Sequence, residues 1–271
     1  MNNKMKWVVS GDCHGNVTER LDNIAAAGYV PRETNVILLG DVGLNFWLNK
    51  SDINNKKRTN ARGFNIWCIH GNHETRASDI PTIQWAYDEQ VDGIVGTESE
   101  FPNIHYFKDD VNEYTIDGYK CLIIPGAFSV DGKYRRQRVL GNSWCGWWEN
   151  EQLTKEEMAA GLALATGKSY DFIFSHTCPI SIEPRDLFLS MVRQEDVDKT
   201  MENYLEIIIK VTSFKLLCFG HYHDDRLERP WAQMFYYSYE ALDDIYERIV
   251  HPRNEPDYYH KKSPNYYMED N

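Results

Sequence analysis

The chain has 271 residues, 42% of them hydrophobic, enough for a sizeable core and within the range of a single α/β domain. Its formal net charge of −12 argues against nucleic acid as a partner, because phosphate neutralisation needs a basic face. No run approaches the roughly 18 apolar residues of a membrane span, and six cysteines with neither a Cys-x-x-Cys pair nor a signal peptide fit reduced core thiols in a cytoplasmic protein. Residues 1–250 read as one domain and 251–271 as a polar, tyrosine-rich tail.

Met5–Ser10 is short, apolar and β-branched, and predicts a buried strand ending at Gly11-Asp12-Cys13-His14. Thr18 to Ala27 predicts a helix stopped by Gly28. Val36–Leu39 predicts a second strand, ending at Gly40-Asp41. Asn54–Arg62 predicts a helix, and Phe64–Ile69 a third strand that runs into His70-Gly71-Asn72-His73-Glu74. Strands alternating with helices at this spacing imply right-handed crossovers and a parallel sheet.

After about residue 80 the pattern changes. His105–Phe107, Val111–Ile116 and Tyr119–Pro125 are strand-like, with Asp117-Gly118 a tight-hairpin signal, so a second sheet is expected. Gly126–Trp148 is rich in Arg, Gly and Trp and reads as a long functional loop, with Trp144, Trp147 and Trp148 as packing residues. Thr154–Ala165 and Asp196–Val211 predict helices. Tyr170–Ser175, Leu216–Phe219 and Trp231–Tyr239 predict strands. The first of these ends at His176 and the second at Gly220-His221-Tyr222-His223, where an extended segment would turn both histidines to one side.

Five strands thus end in polar residues: Asp12 and His14, Asp41, Asn72 and His73, His176, then His221 and His223. Strand ends of one α/β sheet open into a shared crevice. Two carboxylates, four imidazoles and one amide oxygen are too many ligands for one ion and suit two first-row divalent cations, with mixed O/N ligation favouring Mn, Fe or Zn. Manganese is the first choice. Asp41, alone at its strand end, is the natural bridge. Two ions about 3.5–4 Å apart would hold and activate a water and stabilise charge during in-line attack. His73, not needed as a ligand, would protonate the leaving oxygen. Each group alone would read as a turn or a capped loop residue; their joint placement is what points to chemistry.

Asp12-Cys13-His14, Gly40-Asp41, Gly71-Asn72-His73-Glu74, His176 and Gly220-His221-Tyr222-His223, in that order, resemble the five motifs of the calcineurin-like metallophosphoesterases. The resemblance implies a two-sheet αββα sandwich with a dinuclear site. It also implies that Asp12, His14, Asp41 and His223 hold one ion, that Asp41, Asn72, His176 and His221 hold the other, and that Glu74 orients its neighbours.

The protein Ser/Thr phosphatases of that family carry a second Asp and an Arg after the Gly-Asp pair; here the stretch is Gly40-Asp41-Val42-Gly43-Leu44-Asn45, with Leu44 in the second Asp's place. His70 stands where they have Arg. Arg135, Arg136 and Arg138 are therefore expected to supply the missing phosphate contacts, with Asn72 and His70 beside them as further substrate-binding candidates. The expected partner is a small phosphorylated substrate, a phosphomonoester or a small, nucleotide-like phosphodiester. A nuclease of the same superfamily and a metal-free protein-binding scaffold are the alternatives. No oligomeric state is implied.

Overall fold

The computed structural model describes residues 5–141 and 146–251. Its first half builds a seven-stranded sheet. The contributing strands are β1 (Lys6–Ser10), β2 (Thr34–Leu38), β3 (Asn65–Cys68), β4 (Gln84–Asp88), β5 (Gly93–Glu98) and β6 (Phe101–Tyr106), with helices α1 (Val17–Ala26) and α2 (Lys50–Asn60) as crossovers. The second half builds a six-stranded sheet from β7 (Asn112–Ile116), β8 (Tyr119–Ile124), β9 (Ser169–Ser175), β10 (Ser213–Phe219), β11 (Arg226–Arg229) and β12 (Ala232–Met234). Helices α3 (Gly132–Leu140), α4 (Lys155–Ala165) and α5 (Thr200–Val211) lie between these strands in the chain. The last strand, β13 (Tyr239–Ala241), returns to the first sheet, and α6 (Leu242–Val250) follows it.

Strand order is β13-β1-β2-β3-β6-β5-β4 in one sheet and β11-β12-β10-β9-β8-β7 in the other. Both sheets are mixed: β1–β2–β3–β6 and β8–β9–β10–β12 are parallel, and the flanking strands are antiparallel.

Alternation along the strands sets the layers. Trp7, Val9, Ile37 and Trp67 point from the first sheet into one core, where they meet Ile123, Phe172, Phe174 and Leu216 of the second. Their neighbours Val8, Val36, Leu38 and Ile66 point the other way, onto Val17, Leu21 and Ile24 of α1. On the outer face of the second sheet, Leu122, Ile173 and Leu217 pack against Met201, Leu205 and Ile208 of α5. The result is the expected αββα sandwich. The five described cysteines are buried and free; Cys145 and Trp144 lie outside the described residues, as do residues 252–271 of the tail.

Several expectations are corrected. Residues 126–148 are not loop throughout, since 132–140 form α3 with Gly132 alone buried; a helix carrying no apolar stripe leaves no periodic signal. The strand expected over 231–239 is two strands in different sheets, β12 and β13. Between them the backbone N–H groups of Tyr236, Tyr237 and Ser238 donate to the Asp225 carboxylate at 2.6–3.1 Å, which breaks the extended run. The helix expected from Asp196 begins at Thr200, and the one expected from Asn54 begins at Lys50, where the Asn49 side chain accepts from Ser51 N–H as an N-cap. Finally, His221 and His223 are not on an extended segment: their φ angles are 73° and 58°, in the left-handed region.

Candidate metal centre

The donors gather where strands end. β1 delivers Asp12 and His14, β2 delivers Asp41, β3 delivers Asn72 and His73, β9 delivers His176, and β10 delivers His221 and His223. Four of these residues, His14 (φ 44°), Asp41 (φ 47°), His221 and His223, hold a left-handed backbone. Such conformations cost of order 1–3 kcal/mol each and persist only where their surroundings enforce them. Glycines make the close approach possible: a Cβ on Gly40 would overlap the His176 ring, one on Gly71 the Asp41 carboxylate, and one on Gly220 the Asp12 carboxylate.

The side chains converge as a donor set should. Three overlapping groups keep their ligand atoms within 4.8 Å of one another: Asp12, His14 and His223; His14, Asp41 and His73; and Asp12, Asp41 and His176. His14 Nε2 lies 2.9 Å from His223 Nε2, His176 Nε2 lies 2.8 Å from Asn72 Oδ1, and His176 Nε2 lies 3.4 Å from Asp41 Oδ1. Asp12, His14 and Asp41 each belong to two of the groups. His221 stands at the margin, with its ring centroid 5.1 Å from that of His176 and its backbone N–H donating to Asp12 at 3.0 Å. His73 belongs to a ligating group as well, closer to the donors than its expected acid role required.

Charge and burial shape the set. Burial alone would raise Asp41, but the His176 and His73 rings beside it hold its carboxyl well below the usual range. Asp12 is lowered in the same way, with His223 hydrogen-bonded to it. Burial disfavours a charged His176, yet Asp41 and Asp12 lift it to about 9. Burial together with the charge of His176 pushes His221 down to about 3. Carboxylates kept ionised, imidazoles turned towards them and an amide oxygen form a mixed O/N set that fits divalent transition metals.

The surrounding shell holds these groups in place. Glu74 accepts from the backbone N–H of Val42, Gly43 and Gly71, each at 3.2 Å, tying the Asp41 and Asn72 loops together. Burial and the charge of Asp41 push it up to about 7 against those three donors. His176 Nδ1 donates to Leu39 O at 2.7 Å, which turns Nε2 to the donors. Tyr236 stacks on the His223 ring, centroids 4.7 Å apart. Two groups had no clear sequence signal: Ser129, whose Oγ accepts from Asn72 Nδ2 at 2.9 Å, and Glu151, whose Oε1 accepts from Ser129 N–H at 2.9 Å.

The expected substrate arginines separate. Arg135 reaches the site: a terminal nitrogen lies 3.0 Å from His73 Nδ1 and 3.3 Å from Nε2, while Nε donates to Asp131 and the other terminal nitrogen to Gly146 O. Arg136 instead lies over the Trp147 ring, and Arg138 donates to the Tyr134 hydroxyl. His70 is buried and lines a cavity of about 10 Å³ with Thr75, Tyr106 and Asp109, where neither ring nitrogen has a partner.

The calcineurin-like phosphoesterase family profile matches residues 5–225, which hold every donor just described. The chain belongs to the calcineurin-like phosphoesterases. It is a phosphoric ester hydrolase, and its chemistry is metal-dependent phosphoester hydrolysis. No curated protein gives a match. Among solved structures, the phosphopantetheinyl hydrolase of Mycobacterium tuberculosis is similar over 98% of this chain and 100% of its own, at 14% identity and a TM-score of 0.41, a likeness that carries no argument about substrate. Among the described residues, no helix of this phosphoesterase is long and apolar enough to cross a membrane.

Proposed function

We propose that this phosphoesterase hydrolyses phosphomonoesters or small, nucleotide-like phosphodiesters at a dinuclear centre, with Arg135 and His73 serving the substrate side. Asp12, His14, Asp41 and His223 would hold one divalent ion, and Asp41, Asn72, His176 and His221 the other, with manganese the first choice and iron or zinc the alternatives. Bound there, the ions supply an activated water and neutralise charge on the phosphoryl oxygens.

The observation that carries the reading is the contact between Arg135 and His73. A guanidinium can only donate, so the ring nitrogen it faces is unprotonated and His73 is neutral. Burial, with the charges of Arg135 and His14, sets the ring at about 4 despite Asp41. An arriving phosphate is a stronger acceptor than an imidazole and matches the guanidinium fork. Arg135 then binds the phosphate and releases the ring, and the substrate's negative charge favours proton uptake by His73. The imidazole can donate that proton to the leaving oxygen.

The test joins elemental analysis of the purified chain to hydrolysis of p-nitrophenyl phosphate and bis-p-nitrophenyl phosphate. Bound transition metal and Mn-stimulated turnover of either ester are expected, and their ratio separates monoesterase from diesterase. Absence of both metal and turnover overturns the reading.

A further inference from the structure

We propose that Asp225 and Tyr236 are positioning residues that hold the His223 ring at the metal centre: the Asp225 carboxylate fixes the Tyr236 backbone, and the Tyr236 ring stacks on the face of the imidazole. The inference rests on reading His223 as a ligand. A ligating histidine is usually oriented by a hydrogen bond at its second ring nitrogen. His176 is held in that way, with Nδ1 on Leu39 O at 2.7 Å. His223 is placed differently. Its side chain is 48% exposed, its backbone is left-handed, and its Nε2 faces His14 Nε2 at 2.9 Å and Asp12 Oδ2 at 3.4 Å. Both polar contacts of the ring among the described residues are at Nε2, so Nδ1 does not anchor it.

The ring face supplies the anchor. Tyr236 lies on it with centroids 4.7 Å apart and planes 16° from parallel, a stacked geometry of the kind aromatic pairs prefer. His14 meets the same ring edge-on, with centroids 4.9 Å apart and planes at 83°. Rotation of the imidazole about its bond to Cβ would drive one ring edge into Tyr236.

A stack orients a ligand only if the stacking ring is itself held, and Asp225 holds it. Oδ1 accepts from Tyr236 N–H at 2.6 Å, Oδ2 from Tyr237 N–H at 2.9 Å, and both from Ser238 N–H at 3.0 and 3.1 Å. The Ser238 hydroxyl donates to Oδ1 as well. A carboxylate only accepts, so it can serve all of these donors together. The segment is also pinned at its ends, where Phe235 N–H donates to Phe219 O at 2.8 Å and Ser238 O accepts from Ser10 Oγ at 2.7 Å. Arg20 links that end to β1, donating to Ser10 Oγ and, at 3.2 Å, to Asp12 O. Asp225 lies two residues beyond His223, so the circuit closes: ligand backbone, carboxylate, Tyr236 backbone, Tyr236 ring, ligand face.

The test is calorimetric titration of the full-length, metal-stripped chain with Mn(II), with the melting temperature of the stripped protein measured alongside. Wild type is compared with His223→Ala, Tyr236→Leu, Tyr236→Phe, Asp225→Asn and the double variant Asp225→Asn/Tyr236→Leu. Tyr236→Leu keeps an apolar side chain and the Asp225 bonds but removes the aromatic face. It is expected to weaken the binding step that His223→Ala weakens by about 2–10-fold, the worth of one aromatic pair. Tyr236→Phe, which keeps the face, is expected to titrate as wild type. Asp225→Asn turns an N–H donor towards the backbone N–H groups and is expected to weaken the same step. In the Tyr236→Leu background it is expected to weaken that step no further.

An unchanged titration of Tyr236→Leu overturns the proposal. An equal loss in Tyr236→Phe and Tyr236→Leu also overturns it, because the hydroxyl and not the face would then matter. A further loss from Asp225→Asn in the Tyr236→Leu background breaks the link between the two residues. Weakening of every binding step by Tyr236→Leu, together with a lower melting temperature of the stripped protein, marks a merely structural role and counts against the proposal. If His223→Ala leaves the titration unchanged, His223 is not a ligand, and the reading of the centre fails with the proposal. A loss at His223→Ala with none at Tyr236→Leu sinks the proposal alone.

Discussion

Arg135 meets His73 at 3.0 Å, and Leu44, the residue at the position where the related Ser/Thr phosphatases carry a supporting Asp, is buried in the core. A guanidinium depresses an imidazole where a carboxylate would raise it. Arg135→Gln is therefore expected to move upward the limb on which kcat/KM falls as His73 loses its proton, from a value of about 4 towards an ordinary imidazole. It is also expected to raise KM about tenfold or more for loss of a charged phosphate contact. Turnover of an alkyl phosphate ester, whose leaving oxygen needs the His73 proton, checks both across pH 4–8. An unshifted limb with an unchanged KM would remove Arg135 from the substrate side.

His176 gives metal binding a pH dependence. Held at about 9 by Asp41 and Asp12, its ring is protonated at neutral pH and must lose that proton to become a ligand. Apparent metal affinity is expected to rise by up to about tenfold per pH unit below 9. Titrations in buffers of different ionisation enthalpy should show about one proton released per ion pair bound. Without metal the sign is opposite: the raised His176 contributes stability that is present below its unfolded value of 6.5 and is lost as pH rises through about 9. His73 and His221, lowered to about 4 and 3, contribute stability that is present above 6.5 and lost as pH falls through those values.

Glu74 satisfies three backbone N–H groups at once. Glu74→Ala would strand them in a buried site, at about 1–3 kcal/mol for each donor that water cannot reach. We expect a loss of at least about 3 kcal/mol by denaturant unfolding, with weaker metal binding because the loops of Asp41 and Asn72 come apart.

Lys56 and Glu98 form a buried pair at 2.5 Å, with Thr82 and Tyr106 on the same carboxylate. Lys56→Met leaves that carboxylate without its partner charge, which typically costs about 3–5 kcal/mol. Metal stoichiometry should stay at the wild-type value. Melting temperature and metal content of the same sample separate this effect from that of Glu74→Ala.

The parts of the fold legible in the sequence are those where burial is two-sided. β1, β2, β3, β9 and β10 are apolar runs because core lies on both faces, and each donor could be read at the point where such a run breaks. β4 left no signal, because it is an edge strand whose residues are exposed or half-buried, and so no alternation is imposed on it. α6 did carry a pattern, Leu242 and Ile245 with Tyr246 and Ile249, though in a stretch too short to stand out beside the tail. The ligand conformations were not legible at all. Left-handed φ at His14, Asp41, His221 and His223 is enforced by contacts across the site, and spacing along the chain does not encode such contacts. The contact between Ser129 and Asn72 was not legible for the same reason, since the two residues are 57 apart in the chain.

His73 can be tested by its dependence on the leaving group. A leaving oxygen of low pKa departs as an anion without help, whereas an alkoxide needs a proton in the transition state. His73→Ala is therefore expected to slow alkyl phosphate esters by about 10²–10⁴-fold and p-nitrophenyl phosphate far less, giving a steeper dependence of rate on leaving-group pKa. Because His73 also lies among atoms that could ligate an ion, metal content must be measured on the same preparation. Retained metal with a selective loss on poor leaving groups assigns it to proton transfer. Lost metal with an equal loss on every ester assigns it to ligation, and Arg135 would then be contacting a ligand rather than an acid.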